Sequence, residues 1–128
     1  MGEFERSLDD PSLGWVTGNA LATLAGPSDA DDLIRLLRDR RFGKSREMLC
    51  EALKRTHDTR TPIVLLEMIE DDDVAGHAVA VLRSLRRTAA ASVLGEARVK
   101  LEALAERPTA SPFARKQARR ALVEIERG

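Results

Sequence analysis

The chain has 128 residues, enough for one domain with a continuous core, and its 21 Lys+Arg against 21 Asp+Glu give a net charge of zero. That balance argues against a surface dominated by attraction to nucleic acid or anionic membrane, although a local patch survives the cancellation. Aromatics make up only 3% and charged residues 33%, which points away from a strand-rich domain and towards Leu, Ala, Val and Ile packed between solvated helices.

A single cysteine, Cys50, precludes an intramolecular disulfide and suggests a reducing, cytoplasmic setting. The opening MGEFERSLDD has no apolar stretch of signal-peptide type, and no apolar run approaches the ~20 residues of a membrane span. Arg6 stands where a myristoylation signal after Gly2 has Ser or Thr.

In chain order, residues 3–9 read as a short helix with Phe4 and Leu8 on one face, stopped by Pro11. Ser12 caps a helix over 13–25, with Leu13, Val16, Ala20, Leu21 and Leu24 at helical spacing and Gly26-Pro27 at its end. Ser28 is the expected cap of the next helix, which runs to about Arg40. Asp29, Asp31 and Asp32 occupy its first turn, and Leu33, Ile34, Leu36 and Leu37 form its buried stripe. After Phe42-Gly43, Ser45 is the expected cap of a helix over 45–57 with Met48, Leu49, Ala52 and Leu53 inward.

Thr61-Pro62 starts a helix with Ile63, Leu65, Leu66 and Ile69 as its apolar face. Asp71 to Asp73 make the turn, with Asp73 capping a helix that buries Val74, Ala78, Val81, Leu82 and Leu85. A longer helix follows over 89–106, with Val93, Leu94, Ala97, Leu101 and Leu104 in register and Gly95 a candidate kink. Ser111-Pro112 opens the last helix, which finishes the chain.

The helices repeat. A shift of 29 residues places Ile34 on Ile63, Leu37 on Leu66, Leu53 on Leu82 and Lys54 on Arg83; a shift of 40 places Leu82 on Leu122. The segments Pro62 to Leu85, Phe113 to Leu122 and Ser45 to Leu53 each carry part of one pattern: an apolar first helix, a turn Asp, then an apolar residue followed by Arg or Lys, then Ala and Leu. In this they resemble the bacterial HEAT-like repeat proteins (the PBS-lyase HEAT-like superfamily). The turn Asp is met by Asp39 and by Asp71 to Asp73, and the basic residue by Arg46 and Arg115; Ala75 departs from the pattern in the central repeat.

The resemblance implies an all-α fold, an α-α superhelix of about three and a half helical hairpins in one domain: an arm over 1–11, a half repeat over 12–26, and hairpins over 27–58, 59–87 and 88–128. Hairpins of this kind bury their apolar faces by stacking into a solenoid. The second helix of each hairpin then lines a concave side.

Such proteins are mostly scaffolds and binding modules. The expected function is therefore a non-catalytic protein–protein interaction module, without cofactor or metal, acting on a protein partner as a monomer or weak homodimer and not on a membrane. The repeat alignment places Trp15, Asn19, Glu47, Glu51, Lys54, Arg83, Lys116 and Arg120 on the concave face, with Gly76, His77 and Ala80 forming an uncharged middle where a partner would insert. Mixed charge there suits a protein partner. Trp15 reads equally as a partner anchor and as core or end-cap packing.

The alternative is nucleic-acid binding, as in HEAT-like DNA glycosylases, through Arg115, Lys116, Arg119 and Arg120 with Lys54, Arg55, Arg83, Arg86 and Arg87. Interspersed Glu47, Glu51, Glu124 and Glu126 and a lone Trp argue against it. A lyase related to HEAT-like bilin lyases rests on fold analogy alone. His77 reads as a packed helix residue and Cys50 as a semi-buried structural thiol, since neither has a second ligand or a base at motif spacing. The acidic run Glu70 to Asp73 reads as helix capping rather than a cation loop.

Overall fold

The computed structural model describes residues 26–127. Readings made for residues 1–25, including the first two helices, Trp15 and Asn19, lie outside the described residues. Every regular element among the described residues is helical. The chain divides into two compact units, Met1–Thr61 and Pro62–Gly128, a boundary that falls inside the hairpin expected over 59–87.

In the first unit a 3-10 turn (Pro27–Asp29) leads into α1 (Ala30–Arg38). Ser28 is exposed and does not cap. Asp29 takes that place: its carboxylate accepts the Gly26 N–H at 2.9 Å, and its own N–H donates to the Gly26 carbonyl at 3.0 Å. The expected stripe Leu33, Ile34, Leu36 and Leu37 is buried throughout.

The next helix starts later than its sequence suggests. Residues Arg40–Arg46 form a tight 3-10 segment, and α2 spans only Leu49–Arg55. Gly43 sits at φ 52°, a left-handed backbone that interrupts helical winding and that glycine adopts without a Cβ clash. Ser45 is buried rather than a cap, because Arg46 turns inward beside it. The guanidinium of Arg46 donates to the Leu37 carbonyl at 2.6 Å and to the Gly43 carbonyl at 2.8 Å. Cys50 is fully buried, deeper than its sequence position suggests. After α2, His57 adopts φ 57°, the left-handed position where helices commonly end.

Helix α3 (Thr61–Met68) is apolar nearly all round, so periodicity alone does not fix its facing. Val64 is buried and Ile63 is 55% exposed, reversing the expected assignment of the latter. The following turn is organised by Asp71, not Asp73. Asp71 is buried and its carboxylate accepts the Asp73 N–H at 3.1 Å. Its carbonyl takes the Ala75 N–H at 2.8 Å, and Val74 occupies the N-cap of α4 (Ala75–Leu85).

Helix α5 (Ala91–Glu106) runs unbroken through Gly95, so no kink forms there. Helix α6 (Pro112–Arg127) begins as its sequence indicates: the Ser111 hydroxyl accepts the Ala114 N–H at 3.1 Å, and Pro112 occupies the first turn, where its missing N–H costs nothing. Helix α6 packs on both α4 and α5. Their shared core is rich in small residues, with Ala75, Ala97, Ala105, Ala114, Ala118 and Ala121 set among Val79, Leu101 and Leu104. Small side chains bring helix axes close, and Gly76 does so most: a Cβ there would lie 2.5 Å from the Phe113 ring and 3.3 Å from the Ala114 Cα.

One device recurs at the helix ends. The last carbonyls of a helix have no backbone partner and carry partial negative charge. The ends of α1, α3 and α5 each receive a cation from later in the chain. Arg46 donates to Leu37. Lys100 donates to the Leu66 carbonyl at 3.3 Å and Arg107 to that of Ile69 at 2.8 Å. Arg119 donates to that of Ala105 at 3.3 Å. The ends of α2 and α4 use local hydroxyls instead. Thr56 donates to Leu53 at 2.7 Å, Ser84 to Val81 at 2.6 Å and Thr88 to Leu85 at 3.0 Å.

Two glycine substitutions check this packing. At Gly95 no atom lies within 4 Å of an added Cβ, so Gly95→Ala should raise stability by about 0.5–1 kcal/mol in urea denaturation. Gly76→Ala should lower it by about 1 kcal/mol, since overpacking against Phe113 outweighs the gain in helix propensity. In a Phe113→Ala background the same substitution should be neutral or stabilising.

Candidate binding surface

The residues expected on one open face separate into two groups. Glu51 and Lys54 lie one turn apart on α2, their charges 3.9 Å from each other and both side chains more than a third exposed. Lys116 and Arg120 are exposed on α6. Lys116 and Arg120 project to solvent, and Glu51 and Lys54 are partly open to it. Glu47 is half-buried at the end of the 3-10 segment.

The α4 residues behave differently. Gly76 is buried against Phe113 and Ala114. The His77 ring packs on Phe113 with centroids 5.3 Å apart and planes tilted by 52°. Arg83 donates through Nε to Glu124 at 2.6 Å and through Nη1 to the Gln117 side-chain oxygen at 2.8 Å. Arg86 reaches the other Glu124 oxygen at 3.2 Å. Gly76, Ala80 and Arg83 share one helical stripe, and its two ends are taken up by α6. Ala80 between them is half-buried. The uncharged middle is therefore a seam between two helices of this chain, not an open cleft. Local sequence pattern does not report it, because the partners of Arg83 lie 34 and 41 residues away.

The outward face of α6 carries residues that motif reading passed over. Phe113 is 45% and Val123 46% exposed. Lys116, Arg120 and Arg127 lie on the same stripe, at helical spacing. Of the basic residues collected for a nucleic-acid face, Arg83 and Arg86 share the one carboxylate of Glu124, which offsets half of their charge, and Arg119 is turned to the Ala105 carbonyl.

Several carboxylates are held ionised by neighbours. The Arg41 guanidinium beside Asp39 holds its carboxyl at about 2, below the ordinary 3.8, with the charge of Arg46 adding to the effect. Arg60 holds Asp58 at about 2 in the same way and also reaches Asp31 at 2.7 Å. Asp72 is lowered first by its hydrogen bond with Thr109 and then by Arg107, which donates to it at 2.8 Å. Glu124 is lowered chiefly by Arg83, then by the charges of Arg86 and Arg120. The Asp39–Arg41 pair is local, whereas Arg60 with Asp31, Arg107 with Asp72 and Arg83 with Glu124 link separate elements. Among the described residues no three His, Cys, Asp or Glu side chains gather as a metal-ligand set, and no helix is long and apolar enough to cross a membrane.

Each of these carboxylates is more acidic folded than unfolded. The stability they contribute is present above the ordinary carboxylate range and is lost as pH falls from about 4 towards 2. Glu124→Gln should lower stability by about 1 kcal/mol at neutral pH, by loosening α4 from α6, and should flatten part of the acid loss. Urea titrations of wild type and variant between pH 7 and pH 2 test both effects.

Comparison with protein-family models, curated proteins and solved structures finds no match.

Proposed function

We propose that this chain is a non-catalytic protein-binding module whose hairpins stack as a HEAT-like superhelix and whose second helices present the binding surface. The observation that supports this best is the recurring hairpin device. Cations reaching back to the ends of α1, α3 and α5 hold the first helices into the body of each unit. On α2 and α6 this leaves Lys116 and Arg120 exposed and Glu51 and Lys54 partly exposed. Those positions carry both signs of charge, which suits orientation of a protein partner better than uniform attraction to phosphate. With Gly76 and Arg83 committed to α6, the proposed binding residues narrow to Glu51 and Lys54 in the first unit and Lys116 and Arg120 in the second, each pair taken by itself.

The competing reading draws on Lys116 and Arg120 beside Phe113 and Val123 on α6, a basic stripe with apolar positions. The two readings separate by experiment. A pull-down from the native host with wild type as bait should retain a protein that Glu51→Lys and Lys116→Glu each release, both variants keeping the wild-type helical content. Equal retention by wild type and both variants removes the proposed surface. A gel-shift titration with DNA and RNA at several salt concentrations should show no salt-dependent complex; a steep salt dependence would favour the nucleic-acid reading instead.

A further inference from the structure

The end of the second unit where α4 finishes, α5 begins and α6 finishes carries a basin not used by the surface above. Its floor is aliphatic: Leu94 from α5 and Ile125 from α6 are each only half-buried, and Leu82 from α4, half-buried too, lines the crevice that adjoins them. The crevice beneath them has a volume of about 20 Å³, room for a single water, so no small molecule fits inside the core. Above it the basin opens to about 650 Å³.

The rim is charged with one dominant sign. Arg86, Arg87 and Arg127 stand around it with Glu124 as the one carboxylate among its lining residues. Glu124 is already shared between Arg83 and Arg86. Arg87 and Arg127 are exposed and, among the described residues, make no ion pair or hydrogen bond. The rim cations are all arginines, whose planar forks bind carboxylates through two parallel hydrogen bonds. An occupant must therefore bring an aliphatic side chain to the floor and carboxylates to the rim.

We propose that this basin docks an acidic amphipathic peptide segment of a partner protein, with an aliphatic side chain over Leu94 and Ile125 and flanking carboxylates on Arg87 and Arg127. A peptide suits the shape better than an anionic membrane does. The apolar groups here are recessed, so the occupant supplies the protruding side chain, whereas a bilayer is entered by apolar groups that project from the protein. None of Glu51, Lys54, Lys116 and Arg120 lines the basin, and charge reversal at Glu51 or Lys116 should leave it intact.

The test is selection from a random peptide library on the full chain. The affinities of the selected synthetic peptides are then measured by fluorescence anisotropy for wild type and for R87E/R127E. The expected peptides place Asp or Glu within a few residues of Leu, Ile, Val or Phe. They should bind the variant at least about tenfold more weakly and lose affinity as salt rises. Peptides without acidic enrichment, or equal binding to the variant, overturn the proposal. So do two alternative occupants: binding to phosphatidylserine vesicles with no peptide selected, or self-association that the variant abolishes. Circular dichroism and the urea midpoint confirm that the variant is folded; if it is not, R87A/R127A replaces it.

Discussion

A helix ends in carbonyl groups that its own backbone leaves unsatisfied, and this chain answers that constraint with cations supplied from later in the sequence. Arg46 closes the end of α1, Lys100 and Arg107 that of α3, and Arg119 that of α5. Each contact sets a positive charge against the negative end of a helix dipole, and at the fully buried Arg46 burial also limits screening by water. It also ties a first helix to an element that follows it. Arg107 shows this most fully: one side chain holds the Ile69 carbonyl and the Asp72 carboxylate together. The α4–α6 clamp through Glu124 is the same idea between side chains. With a core built largely of alanine and few aromatics, such directional contacts fix how the helices meet.

Much of the local structure was legible in the sequence. The Leu33–Ile34–Leu36–Leu37 stripe and the Ser111 cap followed from periodicity and cap chemistry, and both are present. Where local signals misled, a longer-range contact had taken over. Ser45 looks like a cap until Arg46 folds beneath it and shortens α2. Ile63 and Val64 are indistinguishable by pattern in a helix that is apolar nearly all round, and only packing assigns them. Asp71 outcompetes Asp73 because it is the acid whose position in the turn allows it to be buried.

The binding residues were less legible than the helices. Repeat alignment places side chains by register, and register does not tell whether another helix of the same chain covers them. Gly76 and Arg83 register with exposed positions elsewhere, yet Phe113, Gln117 and Glu124 take them up. A signal did exist: a buried glycine in a helix usually marks close approach, and an Arg facing a Glu one hairpin later has an evident partner. Charge is the better guide where no ion pair or hydrogen bond among the described residues commits it, as at the exposed Lys116, Arg87 and Arg127.

Among the cations at helix ends Arg46 is the most exacting case, because its side chain is wholly buried and donates to backbone carbonyls of the α1 end and the following turn. Arg46→Met keeps the apolar stem and removes the guanidinium. If cation closure of helix ends holds the fold, urea denaturation of this variant should show a loss of about 2–3 kcal/mol. A midpoint equal to or above that of the wild type, as when a buried charge is replaced by better apolar packing, would contradict the account.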